Sequence, residues 1–352
     1  MDKVRFALVG CGKVSKKHIV SIQRIDNAEL AAVCDVDIDA AKRVGENAGV
    51  PYFDNPHEMV DKVDFDVFSI LTPSGTHAEV MLELAPYGKH FVIEKPMALR
   101  LEDADAMLEA CRKYGIRLFV VQQNRFNLPI MKLREAIESG RFGKLVLGTV
   151  RVRWKRTQEY YDEKPWRGTW AMDGGVLTNQ ASHHIDMLMW MMGEVESVMA
   201  KTATQLVDIE TEDTGVVILK FTNGALGIIE ATTATRPKDL EGSISILGEH
   251  GSVEIGGFFM NELKVWNFEP ELPEDRVIFE KYGRNPDEFA WNHTQYLKDV
   301  VKNILKNEGG LVDGLEGRRL VELLNAIYES AETGREIKLK FKPQNSKLGR
   351  IL

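Results

Sequence analysis

The first third of the chain alternates short apolar runs with amphipathic helical patterns. The apolar runs lack the in-and-out alternation of a half-exposed sheet, a pattern that indicates parallel strands buried on both faces. Repeated strand–helix units of this kind predict a doubly wound parallel α/β sheet. The predicted strands are Val4–Val9, Leu30–Cys34, Val67–Leu71, Phe91–Ile93 and Leu118–Val121. The helical stretches between them include Ile38–Asn47, Ala78–Tyr87 and Leu101–Tyr114.

The pattern changes after about Asn124 and predicts an α+β domain with a mostly antiparallel sheet. The pair Asn223-Gly224 between two strand-like runs is a strong hairpin signal. The strands predicted here are Leu145–Arg156, Ser197–Gln205, Gly215–Phe221, Ala225–Thr233, Ser243–Leu247 and Ser252–Ile255. The helices predicted here are Pro129–Ser139, Thr178–Met192, Asp287–Leu305 and Asp313–Glu332. We therefore expect one domain over residues 1–122, a second over 123–341 and a loosely attached tail over 342–352.

Composition limits the kind of protein this is. A length of 352 residues suits about two domains, and 44% hydrophobic with 28% charged residues is typical of a globular protein with a sizeable core. The formal net charge of −8 argues against nucleic acid as a partner, and no apolar run approaches the roughly 18 residues of a membrane span. The chain starts in a strand, without the apolar segment of a signal peptide. The three cysteines lack metal-ligand spacing and suit a reducing cytosol, so we expect a cytoplasmic protein without a metal site.

A glycine-rich loop joins the first predicted strand to a helix. This is the context that a dinucleotide-binding fingerprint requires, and the loop residues are Gly10-Cys11-Gly12-Lys13-Val14-Ser15. The two glycines permit a tight turn and the close approach of a pyrophosphate, although Ser15 occupies the third glycine position. Asp35 ends the second strand, where a carboxylate grips ribose hydroxyls and repels a 2′-phosphate. The pattern favours NAD over NADP; the alternative is that Asp35 is only a turn residue.

A lysine stands at the end of a later strand, in the run Val92-Ile93-Glu94-Lys95-Pro96. The carboxyl ends of the strands are where an open α/β sheet binds its ligands. An ammonium group there can hydrogen-bond a substrate hydroxyl and stabilise the alkoxide that forms as a hydride leaves. The alternative is a surface lysine after a strand that Pro96 ends.

A second polar group of residues opens an apolar helix further along the chain. Helical spacing puts Asn179, His183 and Asp186 on one face of that helix. Histidine is the usual group that takes a proton near neutral pH, and it needs an acceptor or an amide to fix its tautomer. The alternative is a polar surface in which His183 pairs with Asp186.

Four motifs together resemble the Gfo/Idh/MocA oxidoreductases, the family of glucose–fructose oxidoreductase and inositol dehydrogenase. The motifs are Gly10-x-Gly12 followed by His18, Thr72-Pro73 with His77, Glu94-Lys95-Pro96, and Gly174-Gly175 followed by His183-x-x-Asp186. The resemblance spans nearly the whole chain. It implies a Rossmann domain followed by an α/β domain whose open, mainly antiparallel sheet often forms the oligomer contact. A homodimer or homotetramer is therefore expected.

The resemblance also implies which residues serve the reaction. Lys95 and His183 match the lysine and histidine that serve catalysis in the family. The expected NAD ligands are Gly10, Gly12, Lys13, Val14, Asp35, Thr72, Pro73, His77, Glu94, Lys95, Gln123, Trp166 and Arg167. The family often has an aspartate one helical turn before the histidine, where this chain has Asn179. An amide cannot stabilise an imidazolium as a carboxylate does, so we expect Lys95 to share the role of base with His183.

Two segments resemble the family's bacterial enzymes that oxidise C3 of UDP-N-acetylglucosaminuronic acid for surface polysaccharide synthesis. They run over residues 159–180 and 231–238. Arginines there can grip phosphates or carboxylates, and the aromatic side chains can stack on uracil or nicotinamide. The expected substrate contacts are Lys95, Arg153, Arg156, Tyr160, Tyr161, Asn179, Gln180, His183 and Arg236. Some relatives of this subgroup reoxidise bound NADH with 2-oxoglutarate, which makes 2-oxoglutarate a candidate second substrate.

Two other functions stay open on the sequence alone. A dehydrogenase of a free polyol or simple sugar, similar to the inositol dehydrogenases, would need few cations around its substrate. A non-catalytic NAD-binding sensor would need neither Lys95 nor His183.

Overall fold

The computed structural model describes residues 3–308 and 310–339. These residues form two compact units, one of residues 3–123, 287–308 and 310–321, the other of residues 124–286 and 322–339. The predicted tail over residues 342–352 lies outside the described part of the chain. Within that part, no helix is both long and apolar enough to cross a membrane.

The first unit is built on a parallel sheet of six strands in the order β3-β2-β1-β4-β5-β6. Strand β4 is wholly buried and β1 nearly so, which explains their uninterrupted apolar runs. This sheet confirms the predicted Rossmann fold; the apolar runs did not predict β3, a two-residue strand at the sheet edge. The strands are β1 (Val4–Val9), β2 (Ala28–Cys34), β3 (Tyr52–Phe53), β4 (Val67–Ile70), β5 (His90–Ile93) and β6 (Leu118–Val120).

Five helices connect these strands, and local sequence sets several of their ends. Asp37 caps the second helix by accepting hydrogen bonds from the backbone N–H groups that follow it. Gly49 and Gly115 end the second and fifth helices in the left-handed conformation, at φ 72° and 63°. The helices are α1 (Ser15–Gln23), α2 (Ile38–Ala48), α3 (Pro56–Lys62), α4 (His77–Leu84) and α5 (Leu101–Tyr114).

The second unit is built on an eight-stranded sheet in the order β13-β12-β11-β7-β10-β9-β8-β14. Only the β7–β10 pair among these is parallel, so the predicted mostly antiparallel sheet is confirmed. The strands are β7 (Leu145–Arg153), β8 (Val195–Ala203), β9 (Thr214–Phe221), β10 (Leu226–Thr232), β11 (Glu241–Gly248), β12 (Gly251–Gly256), β13 (Glu262–Phe268) and β14 (Ile337–Lys338). The helices are α6 (Leu128–Glu138), α7 (Gln158–Asp162), α8 (Ser182–Met192) and α9 (Ile278–Tyr282).

Helix α8 packs on one face of this sheet, directly over β7. A Cβ atom at Gly148 would lie 2.6 Å from Leu188 and 2.8 Å from Met192, so glycine lets the helix approach the strand. Because side chains alternate along a strand, Val150 and Val152 lie under the helix with Gly148, whereas Arg153 lies on the opposite face of the sheet. The sheet therefore has one helix-covered face and one open face.

The last two helices are α10 (Trp291–Lys306) and α11 (Gly314–Thr333). We expected everything from residue 123 to 341 in the second domain, but the structure places α10 and the first turns of α11 in the first unit. The physical reason is packing: α10 lies against α1, where Thr294 Oγ1 is 3.1 Å from Ser21 Oγ. Gly317 packs so closely on β6 that a Cβ would lie 2.5 Å from Val120.

Candidate active site

The glycine loop has the geometry that a dinucleotide needs. Gly10 has φ +106°, and a Cβ there would lie 2.7 Å from the carbonyl carbon of Leu71, so only glycine fits. A Cβ on Gly12 would meet nothing within 4 Å, which leaves open space in front of α1. Ser15, at the third glycine position, is buried and donates its hydroxyl to Gly12 O at 2.7 Å. The loop therefore offers an open cradle at a helix N-terminus, the setting in which backbone N–H groups bind a pyrophosphate.

Asp35 is held in place beside this cradle. Its Oδ2 accepts the backbone N–H of Cys11 at 2.7 Å and its Oδ1 accepts that of Asp37 at 2.9 Å. Each carboxylate oxygen keeps a lone pair that can accept from a ribose hydroxyl. Burial raises the pKa of the Cys11 thiol to about 12, so Cys11 stays a neutral packing group.

Lys95 follows β5 directly and is partly exposed, at the strand tip. The neighbouring Glu94 points inward, where its Oε1 lies 2.9 Å from Nε2 of the fully buried His18. Burial acts to raise the pKa of Glu94, but the hydrogen bond and charge of His18 bring it down to about 2. Glu94 Oε2 also accepts the backbone N–H of Lys95 at 3.4 Å. The Glu94 carboxylate therefore links the strand tip to the interior, and its contact with NAD stays a prediction.

His77 braces the same strand tips from inside the unit. Its ring nitrogens lie 2.8 Å from the carbonyl oxygens of Thr72 and Pro96, and the side chain is buried. Burial lowers the pKa of His77, so the ring is neutral and donates to one of these oxygens. His77 thus ties together the Thr72-Pro73 and Lys95-Pro96 loops, and its contact with NAD stays a prediction.

The other NAD ligands expected in this unit differ in exposure. Lys13 is exposed on the glycine loop and Val14 is half-buried at the start of α1. Pro73 is half-buried, whereas Gln123 is buried at the start of a short 3₁₀ turn. Lys13 and Val14 can therefore line the cradle of the glycine loop.

His183 lies in the first turn of α8 and is 9% exposed. The helix begins at Ser182, so Asn179 lies in the turns before it, where we predicted it inside the helix. Both oxygens of Asp186 accept from the buried Arg125, at 2.7 and 2.9 Å. The next residue, His184, packs its ring against Trp154 at 5.7 Å between centroids.

Asn179 is fixed by a residue that the sequence did not point to. Its side-chain Nδ2 donates to Oδ1 of Asp173 at 2.5 Å, and Oδ2 of Asp173 accepts the backbone N–H of Gly168 at 2.9 Å. Asp173 is 1% exposed. A signal for it exists in hindsight, because Asp173 directly precedes the Gly174-Gly175 pair of the family motif.

Two more residues missed by the sequence hold the turns before α8. Oε1 of the buried Glu212 accepts the backbone N–H of Leu177 at 2.9 Å and the hydroxyl of Tyr328 at 3.0 Å. The Tyr328 hydroxyl is also 2.8 Å from Thr178 Oγ1. Burial raises the pKa of Glu212 to about 7. The sequence signal for this contact is the glycine at position 175, because a Cβ there would lie 2.1 Å from Glu212 Oε2.

Two arginines pack on Tyr160 and a third contacts the backbone of one of them, and we call Arg156, Arg167 and Arg236 the arginine cluster. The guanidinium carbons of Arg156 and Arg167 lie 5.2 and 4.1 Å from the centre of the Tyr160 ring. Arg236 donates to the carbonyl oxygens of Arg156, Thr233 and Thr235 at 2.9–3.1 Å. Within the described residues, Arg236 forms no ion pair and the buried Arg167 Nε has no acceptor. Arg156 and Arg167 pair with Asp239 at 3.6 Å and Glu163 at 3.0 Å, which leaves Arg236 as the member of the cluster without a carboxylate among the described residues.

The structure does not bring every expected substrate contact to this cluster. Arg153 lies on the open face of the sheet, where Glu230 holds it at 2.6 and 2.7 Å and Glu241 at 3.0 Å. Tyr161 is a core residue at 5% exposure, with its hydroxyl 3.1 Å from Thr233 Oγ1. These contacts of the two residues are within the protein, and both residues stay predicted substrate contacts.

The last expected ligands of the second unit lie near the same segments. Trp166 is half-buried, with the Arg167 guanidinium 5.7 Å from its ring centre. Gln180 is 6% exposed, and its Oε1 has no hydrogen-bond partner in the part of the chain that the structure describes. Among those same residues, no group of three or more His, Cys, Asp or Glu side chains is placed to hold a metal ion.

The fold and the cradle define a class: an NAD-binding Rossmann oxidoreductase with a second α+β unit. The family model for the oxidoreductase family with an NAD-binding Rossmann fold matches residues 4–122, and the GFO/IDH/MocA C-terminal domain matches residues 130–254. The chain belongs to the GFO/IDH/MocA family, as its motifs predicted. It is an NAD-dependent sugar dehydrogenase, and the prediction of NAD as its cofactor is confirmed.

Solved and curated relatives narrow the comparison. The WlbA dehydrogenase of Bordetella pertussis, solved with NADH and UDP-GlcNAcA, is 44% identical with a TM-score of 0.92, over 96% of this chain and 98% of that one. The WlbA dehydrogenase of Chromobacterium violaceum, solved with the same two ligands, is 43% identical with a TM-score of 0.91, over 97% of each chain. Myo-inositol 2-dehydrogenase of Thermotoga maritima is 28% identical over 96% of this chain and 99% of its own.

Proposed function

We propose that the chain oxidises the C3 hydroxyl of a UDP-sugar acid, UDP-N-acetylglucosaminuronate, to a 3-keto sugar for surface polysaccharide synthesis. The observation that carries this proposal is the arginine cluster around Tyr160. A diphosphate and a sugar carboxylate need guanidinium groups, and a nucleobase needs a flat ring. Among the described residues Arg236 has no ion pair and Arg167 Nε has no acceptor, and an anionic ligand would satisfy both groups. The 44% identical relative solved with UDP-GlcNAcA supports the same substrate.

The reaction needs a base, a cation beside the reacting oxygen and a hydride acceptor. NAD, when bound, supplies the acceptor at C4 of its nicotinamide. His183 takes the proton of the C3 hydroxyl, and Lys95 donates a hydrogen bond to that oxygen while its negative charge develops. The C3–H bond breaks with its electron pair, and the C3–O bond becomes a carbonyl. Asp35 and the glycine loop hold the cofactor end of this arrangement.

The test mixes the purified protein with NAD and UDP-N-acetylglucosaminuronate, with and without 2-oxoglutarate. NADH absorbance follows the hydride, and mass spectrometry detects a sugar lighter by two hydrogens. We expect this product from the native protein and not from Lys95→Ala. Continued product formation at substoichiometric NAD, only when 2-oxoglutarate is present, would identify 2-oxoglutarate as the final oxidant. An absence of sugar oxidation under all these conditions would contradict the proposal.

A second candidate is the oxidation of a free polyol, favoured by the 28% identity to myo-inositol 2-dehydrogenase over nearly both whole chains. Free inositol carries no phosphate or carboxylate, so Arg236→Ala should leave its turnover unchanged. NADH formation with inositols, together with none from the UDP-sugar, would select this candidate.

We also propose that the open face of the second sheet joins copies of the chain into a homodimer or homotetramer. Met199, Ile218 and Ile228 are neighbours across three strands of that face and are 37–56% exposed. An exposed apolar face of this kind marks an association surface. Ile218→Asp should reduce the molar mass measured by light scattering. Val36→Asp, at a 95% exposed apolar residue of the other unit, should not.

A further inference from the structure

The segment from Asp173 to Asn179 carries a buried hydrogen bond with a fixed polarity. Asp173 Oδ1 accepts from Asn179 Nδ2 at 2.5 Å, and Asp173 itself is 1% exposed. The carboxylate is oriented from its other side, because Oδ2 accepts the backbone N–H of Gly168 at 2.9 Å. Asp173, Asn179 and Gly168 therefore all lie in the second unit, which also contains α8.

The backbone between these two residues has little freedom. Val176 and Leu177 donate their backbone N–H groups to Glu212, at 3.0 Å to its carbonyl and 2.9 Å to Oε1. Asn179 donates its own backbone N–H to Gly175 O at 2.9 Å, and Ser182 Oγ reaches Asn179 O at 3.2 Å. Because these hydrogen bonds fix the backbone, what remains free is the orientation of the Asn179 side-chain amide, and a neighbouring side chain can determine it.

Asp173 sets that orientation for a chemical reason. An ionised carboxylate only accepts hydrogen bonds, so the NH₂ end of the Asn179 amide must face it. The carbonyl end, Oδ1, then faces away and presents an acceptor. A group that accepts from one ring nitrogen of a histidine fixes the tautomer and frees the other nitrogen to act as base.

We propose that Asp173 is a positioning residue: it turns the Asn179 amide so that Oδ1 accepts the imidazole N–H of His183, four residues further along. The inference rests on the proposed function for the identity of the base. In this arrangement Asp173 supplies the carboxylate that is missing at position 179, and the Asn179 amide lies between it and His183. Two other carboxyl groups face this region: Glu212 accepts the backbone N–H of Leu177, and Asp186 accepts from Arg125.

An exchange of the two side chains tests the polarity directly. Asp173→Asn keeps its amide oxygen on the Gly168 N–H and turns its NH₂ group towards Asn179, which reverses the polarity of the contact. Asn179→Asp opposes two carboxylates that cannot both ionise at this distance. The double variant Asp173→Asn/Asn179→Asp restores one donor and one acceptor and moves the charge next to His183. Asp208→Asn makes the same chemical change at an exposed residue of the same unit and serves as the control.

The readout that needs no substrate is the NMR titration of the His183 ring nitrogens, assigned by comparison with His183→Gln. We expect the double variant to raise the pKa of His183 by roughly one unit over the native protein, since an adjacent carboxylate favours the imidazolium. In turnover, either single variant should lower kcat roughly 10- to 100-fold, the usual cost of losing such an outer partner, with little change in KM. The double variant should recover most of that loss.

His183 titrations that match the native protein in all three folded variants would overturn the proposal, whatever their activity. If Asp173→Asn does not fold, Asn179→Ala gives the same test with Asp173 intact, and an unchanged His183 tautomer there overturns the proposal too. Absence of turnover with UDP-N-acetylglucosaminuronate would contradict the proposed substrate and leave the titration result standing.

Discussion

Glu94 in the first unit and Glu212 in the second are both largely shielded from water, and their pKa values shift in opposite directions. In the first unit, His18 holds the pKa of Glu94 down at about 2 against the effect of burial. In the second, burial raises the pKa of Glu212 to about 7, because its partners Tyr328 and Leu177 N–H are neutral. The comparison teaches that burial alone does not decide the charge of a carboxyl group; the charge of its hydrogen-bond partner does.

The largest expected effect comes from breaking the buried Glu94–His18 pair. Glu94→Gln should destabilise folding by about 3 kcal/mol at pH 7, since it removes the carboxylate whose pKa the fold lowers from 4.5 to about 2. Because the folded pKa is lowered from 4.5 to about 2, the contribution of Glu94 is present above pH 4.5 and is lost as pH falls towards 2. Urea unfolding across this pH window measures both effects.

The matched control is a surface pair of the same chemistry. His57 Nε2 lies 2.6 Å from Glu83 Oε1, with side chains 37% and 55% exposed. Glu83→Gln should cost less than about 1 kcal/mol, because water screens an exposed pair. Equal costs for the two substitutions would show that burial of the Glu94 pair does not matter.

The second expected effect has the opposite sign. Glu212→Gln should stabilise the protein by about 2 to 3 kcal/mol at pH 8, since one pKa unit corresponds to about 1.4 kcal/mol. The folded pKa is raised from 4.5 to about 7, so the native protein loses stability as pH rises through this interval, and the glutamine variant escapes that loss. Unfolding at pH 4 and pH 8 checks it: a gain at pH 8 that persists unchanged at pH 4 would contradict a charge-based explanation.

The two glutamates also mark how far the sequence could predict the site. Asp35 and Lys95 were found because the ends of parallel strands meet at one edge of a sheet, and strand ends can be read from apolar runs. Glu94 was found with them through the Glu-Lys-Pro motif, but its inward direction was not, because Glu94 pairs with His18 at a separation of 76 residues.

The second unit was predicted less well for the same physical reason. Its sheet followed from alternating patterns and the Asn223-Gly224 turn. The residues that hold the lead into α8 did not, since Glu212 and Tyr328 are 116 residues apart and Arg125 and Asp186 are 61 apart. No local sequence pattern encodes a contact between residues so far apart. Arg153 was predicted to bind the substrate because of its charge, but β7 places it on the open face of the sheet, paired with Glu230.

The third prediction compares two arginines of the second unit, Arg236 and Arg153. Arg236→Ala should raise the KM for the UDP-sugar roughly tenfold, or about 1.4 kcal/mol, because it removes a cation of the arginine cluster that has no carboxylate partner in the described residues. Arg153→Ala is the matched control, because Glu230 and Glu241 already occupy its guanidinium on the open face. Initial rates over a range of substrate concentrations give KM for both variants. An equal rise in KM for both would contradict the prediction that the substrate binds at the arginine cluster and not on the open face.

The smallest expected effect separates two adjacent tyrosines of the second unit. Tyr161→Phe should cost about 1 kcal/mol of stability, the net value of the hydrogen bond to Thr233 Oγ1, and leave KM unchanged. Tyr160→Ala should raise KM, because Arg156 and Arg167 lose the ring on which they pack, with less effect on the free energy of unfolding. Thermal unfolding and KM measured on both variants test this. A rise in KM for Tyr161→Phe would return Tyr161 to the substrate site, against the burial of its side chain.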